Sequence, residues 1–269
     1  MSGSRIYKLG FVGCGHMGLA IARGAKNSGF LKPEQICVAD LNPKVLDTCR
    51  AEGFAVMESS VSAAEHSEIT LLAVTPQVCD AALFEIGVAR VSCLLSIVTG
   101  VSIAYLQDAL GDVPVIRAMP NTPLQIGYGS TAITASENCP EDALAFVKAL
   151  FSTMGVVREV PEAWMNAMVC VHGSIPAYVY YFTQCILEDL KARGIDEAAA
   201  RDLLVQCVVG SGRLMQENPG KPLQAFIDEV CSKGGTTIQA IGELRDRDLP
   251  GIVRDANEKC IRRAEELGR

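Results

Sequence analysis

Six residues near the start of the chain, Gly13-Cys14-Gly15-His16-Met17-Gly18, have the types and spacing of a phosphate-binding turn. They follow an apolar run, Lys8 to Val12, and open a helical pattern, Met17 to Ser28. In that setting Gly13 permits a tight turn, Gly15 lets a pyrophosphate approach the backbone, and Gly18 lets helix and strand pack closely. The helix N-terminus then offers free N–H groups and positive potential to the anion. Cys14, His16 and Met17 contribute mainly backbone to such a loop. Asp40 ends the next apolar run, 22 positions after Gly18. A carboxylate there can accept hydrogen bonds from an adenosine ribose and repel a 2′-phosphate, which favours NADH over NADPH. Its other reading is a residue that only begins the turn into Pro43.

Little else in the chain suits a self-sufficient catalytic apparatus. Histidine occurs three times, at His16, His66 and His172, and no Ser-His-Asp or Cys-His arrangement is evident. Eleven cysteines are scattered from Cys14 to Cys260 without a C-x-x-C pair, so neither a disulfide framework nor a metal site is expected, and a reducing cytoplasm is the simplest location. The expected chemistry is one in which a cofactor supplies the reacting group and the protein supplies placement and electrostatics.

These residues need a scaffold, and the apolar pattern describes one. Strands are expected at Lys8–Val12, Ile36–Asp40, Ile69–Val74, Cys93–Ile97 and Val115–Met119. Helices are expected between them at Met17–Ser28, Pro43–Glu52, Val78–Ile86 and Ile103–Leu110. That alternation predicts βαβ units and a Rossmann-like, doubly wound, mainly parallel sheet. Ser130–Thr134, a helix after Pro140, and Val156–Val160 follow. Beyond Pro161 only helical patterns remain: Glu162–Ala192, Asp196–Glu217, Pro222–Glu229, Thr236–Leu244 and Leu249–Leu267. The expected division is a dinucleotide-binding domain over 1–160 and an all-α substrate and dimerisation domain over 161–269.

With 49% hydrophobic residues the chain can bury a substantial core, and a net charge of −7 argues against a nucleic-acid partner. The opening residues lack the charged and apolar regions of a signal peptide. The most apolar stretch, Met165 to Leu187, carries Asn166, His172, Ser174, Pro176 and Gln184, too polar for a bilayer span of about 20 residues. A buried helix, either within the chain or shared between subunits, with Tyr178, Tyr180 and Tyr181 as helix-packing aromatics, is expected instead.

Further segments lie where open α/β sheets bind ligands, after strands. Ala73-Val74-Thr75-Pro76-Gln77, Ser96-Ile97-Val98-Thr99-Gly100 and Arg117-Ala118-Met119-Pro120-Asn121-Thr122-Pro123 each close a strand. Ser232-Lys233-Gly234-Gly235-Thr236-Thr237 stands near the C-terminus. In this order, after the glycine loop, they resemble the pyrroline-5-carboxylate reductases over essentially the whole chain. The resemblance implies hydride transfer from NADPH or NADH to the ring imine of 1-pyrroline-5-carboxylate, giving proline. It implies that Val74, Thr75 and Pro76, and then Met119, Pro120 and Asn121, flank the cofactor, the last three lining the nicotinamide pocket. Gly234, Gly235 and Thr236 would offer amides to the substrate carboxylate, and Thr237 would sit near the imine nitrogen. It also implies an intertwined homodimer or a ring of dimers.

The chain departs from the family pattern at Thr75, Lys233, His172 and Ile175. Those departures keep two other readings open: a reductase of another cyclic imine, and a non-catalytic NAD(P)-binding sensor. A β-hydroxyacid-type reductase is disfavoured because no lysine occurs between Glu162 and Leu190. Arg117 reads as a structural ion pair or carbonyl clamp, His172 as a satisfied core histidine, and Lys233 as a solvated loop charge.

Overall fold

The computed structural model describes residues 6–268. Its eight strands are β1 (Tyr7–Val12), β2 (Ile36–Ala39), β3 (Ala55–Val56), β4 (Ser67–Leu72), β5 (Leu94–Ser96), β6 (Val115–Met119), β7 (Gly129–Ala135) and β8 (Gly155–Glu159). They form one sheet in the order β3-β2-β1-β4-β5-β6-β7-β8. The first six run parallel; β7 is antiparallel to β6, and β8 pairs parallel to β7. The sheet is thus mainly parallel, as expected. Strand order reverses at β1, between β2 and β4, and in such sheets the reversal opens a crevice beyond the strands' C-terminal ends.

Both sheet faces are covered, which explains why the strands read as apolar runs rather than alternating ones. Leu9 and Phe11 of β1 enter one core with Ile21 and Ala25, while Val12 enters a second with Leu72, Leu94 and Leu106. Helix α1 (His16–Asn27) supplies small residues, Gly18, Ala20, Ala22 and Ala25, to its buried face, so it can lie close on β1. α2 (Pro43–Ala51) begins with proline at its first turn, capped by Asn42. α3 (Ser60–Glu65), capped by Ser59, and the two-residue β3 are elements that the sequence reading omits. α4 (Cys79–Ile86), α5 (Ile103–Leu110) and α6 (Glu141–Ser152) complete the sheet's cover. Four strands stop short of expectation, β2 at Ala39, β4 at Leu72, β5 at Ser96 and β8 at Glu159, and the first two endings free Asp40 and Ala73–Thr75 to shape the crevice.

The expected helix Glu162–Ala192 is broken. A 3₁₀ turn, Glu162–Trp164, leads into α7 (Met165–Met168), a π turn at Val169–Gly173, and then α8 (Ile175–Ala192). Pro176 is the local cause: it has no N–H to give the carbonyl four residues back, that of His172. Asn121 meets that demand, its Nδ2 donating to the His172 carbonyl at 3.1 Å. The same amide donates to Ser130 Oγ at 3.1 Å, and its Oδ1 accepts the Ser130 N–H at 2.9 Å. One side chain therefore ties the end of β6 to the start of β7 and to the helix break.

The chain divides into two units, residues 6–176 with 260–268, and Ala177–Lys259. The second holds α9 (Glu197–Glu217), α10 (Leu223–Val230) and α11 (Thr236–Asp246), with most of α8 and part of α12 (Leu249–Leu267). Tyr180 and Tyr181, expected to pack, are 64% and 69% exposed within this chain, and Leu203, Val209 and Leu214 are exposed nearby in sequence.

Asn121→Ala should cost roughly 1–3 kcal/mol for each backbone group it orphans. In a Pro176→Ala background the restored N–H can reach the His172 carbonyl, so the cost should fall. Urea denaturation of the two single variants and the double variant measures this, with a coupling energy of about 1 kcal/mol expected.

Candidate functional site

The turn after β1 is set by steric exclusion. Gly13 has φ +82°, a conformation that residues with a Cβ rarely adopt. A Cβ there would lie 2.8 Å from Val74 Cγ1 and 2.9 Å from the Ala73 carbonyl oxygen. Gly18 faces the Gly13 carbonyl, 3.1 Å from where its Cβ would stand, so helix and turn touch. Gly15 is different: a Cβ would meet nothing within 4 Å. It is the N-cap of α1, and no side chain caps that helix, so its first-turn N–H groups stay open to an anion.

Asp40 holds this turn from β2. Its Oδ2 accepts the Cys14 N–H at 2.7 Å and its Oδ1 accepts the Asn42 N–H at 2.8 Å. The carboxylate thus braces the glycine loop and begins the turn towards Pro43, a double use that spacing alone does not reveal. The Cys14 thiol lies in the core, its Sγ 3.8 Å from Cys49 Sγ. Its hydrogen bond with Cys49, together with burial, pushes that thiol far above the usual range, so it is no nucleophile. His16 is exposed and Met17 half-buried.

Gly13, Gly15, Asp40, Val74 and Thr75 meet on one cavity of about 370 Å³ between the ends of β1 and β4. Two glycines line it beside the uncapped N-terminus of α1, a setting suited to an anionic group. Asp40 and Glu85 are its charged lining residues, and no lysine or arginine joins them among the described residues. Thr75 and Pro76 open the short turn Pro76–Val78 that leads into α4.

Met119, Pro120 and Asn121 stand two strands further along the same edge, after β6. Met119 packs in a small apolar cluster with Ala132 and Met165. Asn121 is buried and engaged in the ties already described, so its amide braces this edge. Arg117 is 5% exposed, and its Nη1 lies 2.7 Å from Glu162 Oε1. That same oxygen accepts the Ile103 N–H at 2.7 Å, at the start of α5. Arg117 is therefore an ion-paired clamp. Glu162, which joins β6 to α5, went unnoticed in the sequence because a lone acidic residue after proline carries no spacing signal.

Gly234–Thr237 belong to the second unit. Gly234 has φ +75°, Gly235 is the N-cap of α11, and Thr236 and Thr237 are already its first two residues. No side chain caps this helix either, so the amides of Thr236 and Thr237 are open donors. Lys233 is exposed, in keeping with a solvated charge. His172 is buried, as expected, yet neither ring nitrogen has a partner among the described residues.

Comparison with known proteins supplies the missing context. Residues 162–267 match the family model for pyrroline-5-carboxylate reductase dimerisation, and residues 8–100 match that for coenzyme F420-dependent NADP oxidoreductases. The pyrroline-5-carboxylate reductase of Synechocystis is 37% identical over 97% of this chain and 98% of its own. The Escherichia coli enzyme is 35% identical over 97% and 98%. The solved Plasmodium falciparum pyrroline carboxylate reductase, with NADP bound, superposes with a TM-score of 0.89 at 26% identity, covering 99% of this chain and all of that one. A glycine cradle at the sheet's switch point, strand-end segments along one edge, and full-length similarity to these enzymes place this chain in the pyrroline-5-carboxylate reductase family.

Proposed function

We propose that this chain reduces the ring imine of 1-pyrroline-5-carboxylate to proline with NAD(P)H. The observation that carries this is 37% and 35% identity to two pyrroline-5-carboxylate reductases over 97% of the chain, together with a glycine-lined cavity at the strand ends. When bound, a reduced nicotinamide supplies the hydride. The chain's own part is placement and proton supply. The open amides of α1 hold the pyrophosphate, and the braced end of β6 forms a fixed wall for the nicotinamide. The amides at the start of α11, with Gly234 and Gly235 permitting close approach, hold the substrate carboxylate without a counter-charge that would quench an iminium. The Thr237 hydroxyl hydrogen-bonds the ring nitrogen and orders the water that supplies its proton. Fixing two reactants in line can lower a barrier by several kcal/mol, roughly 7–11 at the limit.

In this reading residues 1–160 bind the dinucleotide, and residues 161–269 bind the substrate and dimerise. The apolar groove of about 650 Å³ between α8 and α9, and the exposed Tyr180 and Tyr181, support self-association, with pairing of dimers into a ring as the fuller assembly. All eleven cysteines are free thiols, and no helix among the described residues is long and apolar enough to cross a membrane. The free thiols support a reducing, cytoplasmic site of action.

The cavity lining also supports a cofactor preference. Two carboxylates and no cation line it among the described residues, which disfavours a 2′-phosphate, so NADH is the preferred reductant.

Loss of reduced cofactor on mixing the protein with 1-pyrroline-5-carboxylate tests the reaction; binding without turnover would contradict it. Thr237→Ala should lower kcat roughly 100-fold while leaving NADH affinity unchanged. Undiminished turnover would remove Thr237 from proton delivery. The ratio of kcat/KM for NADH over NADPH should exceed about ten, and Asp40→Asn should lower that ratio at least several-fold by removing the repulsion.

A further inference from the structure

The cavity that Gly13, Gly15 and Asp40 share has further walls that a phosphate turn does not explain. Val78, Ala81, Ala82 and Glu85 line it at spacings of three and four residues, so they form one stripe along α4 and the residue before it. Leu41 lines it from the chain leaving β2. Leu41 is 95% exposed and Val78 48% exposed, so two apolar side chains at this cavity stay open to solvent. Apolar lining of this kind suits the faces of a flat ring, which displaces water from it on binding.

Glu85 ends the stripe, and its carboxylate is held in place. Its Oε1 accepts the Ser60 N–H at 3.3 Å, and its Oε2 accepts the Ser60 hydroxyl at 3.0 Å. Ser60, the first residue of α3, lines the cavity as well. Each carboxylate oxygen keeps a second lone pair, so each can accept one more hydrogen bond. A carboxylate offers acceptors only, so a ligand that meets it must bring a donor. Asp40 and Leu41 bring the β2 side of the switch point into this cavity, whereas Met119, Pro120 and Asn121 follow β6, on the other side of β1. The ring that falls here is therefore the one at the adenosine end. On the reading that this cavity takes the dinucleotide, we propose that Glu85 selects the adenine base by accepting a hydrogen bond from its 6-amino group, with Ser60 as the positioning residue. This choice of base is separate from the choice of ribose made at Asp40. A base with a 6-oxo group would set acceptor against acceptor at Glu85.

The test uses the full-length protein with NADH and with reduced nicotinamide hypoxanthine dinucleotide, which replaces the 6-amino donor by a 6-oxo acceptor. Affinities come from calorimetry, and ligand-free stability from thermal unfolding. Wild type should bind NADH about 10-fold or more tightly than the hypoxanthine analogue. In Glu85→Gln, whose amide can donate as well as accept, that ratio should fall to within about three-fold of one, mainly through tighter binding of the analogue. Ser60→Ala frees the carboxylate and should lower the ratio about two-fold or more. Equal binding of the two dinucleotides by wild type would overturn the proposal while leaving the cofactor reading intact. The wild-type ratio needs no variant, so it decides the matter even if Glu85→Gln does not fold. A folded Glu85→Gln protein that weakens both ligands alike, at the wild-type ratio, would also overturn it, because that marks a structural role. An unchanged ratio in Ser60→Ala would overturn the positioning role of Ser60. Wild-type protein that binds neither dinucleotide would refute the cofactor reading itself, and the proposal with it.

Discussion

The hydrogen bond from the Cys14 N–H to the Asp40 carboxylate, 2.7 Å long, fixes the turn on which the rest of the site depends. Strand order reverses at β1, so the chain leaving β1 must turn sharply between β2 and β4. Ala73 and Val74, just after β4, press on that turn, and only a residue without a Cβ, at positive φ, fits there. Asp40 holds it from β2. Squeezed from one side and tied from the other, the loop leaves the α1 N-terminus uncapped and the space at Gly15 empty. That space is useful because the surrounding groups are already ordered, so a ligand's phosphates meet donors that need no rearrangement.

A second set of ties stiffens the far part of the same edge. Glu162 joins the buried Arg117 of β6 to the first amide of α5. Asn121 joins β6 to Ser130 and to the carbonyl that Pro176 leaves without a partner. Both are polar side chains outside the strands that satisfy backbone groups which the sheet's own ladders do not reach. Hydride transfer requires such rigidity, since a displacement of about 1 Å between reactants can cost two orders of magnitude in rate. His172 stands within this braced region as the one ring whose needs the protein itself leaves unmet among the described residues.

Much of this architecture was legible in the residues. The apolar runs at Lys8–Val12 and Val115–Met119 announced buried parallel strands, and the spacing Gly13-x-Gly15-x-x-Gly18 announced the cradle. The start of α11 was foreshadowed by Gly234 and Gly235, and α12 by its amphipathic pattern. What escaped has physical reasons. The edge strand Ala55–Val56 is too short to show a period, and α3 buries only small residues, Ala63 and Ala64. The break before α8 hung on one proline in an otherwise helical run, and its repair by Asn121 spans 51 positions. Asp40 advertised a ribose contact through its position, while its bond to Cys14 depends on a turn that spacing does not describe. Tyr180 and Tyr181 read as helix-packing aromatics, and they are exposed within this chain because periodicity cannot tell burial within a chain from burial between copies.

The central claim is that the open space at Gly15 receives the cofactor's pyrophosphate, and Gly15→Val tests it most directly. Gly15 has φ −63° and ψ −158°, and a Cβ there meets nothing within 4 Å, so the variant should fold with wild-type Tm. Its side chain would occupy the space a phosphate needs, and NADH affinity measured by calorimetry should fall by about 100-fold or more, a loss of roughly 2.7 kcal/mol. A folded Gly15→Val protein that binds NADH as tightly as wild type would contradict the account.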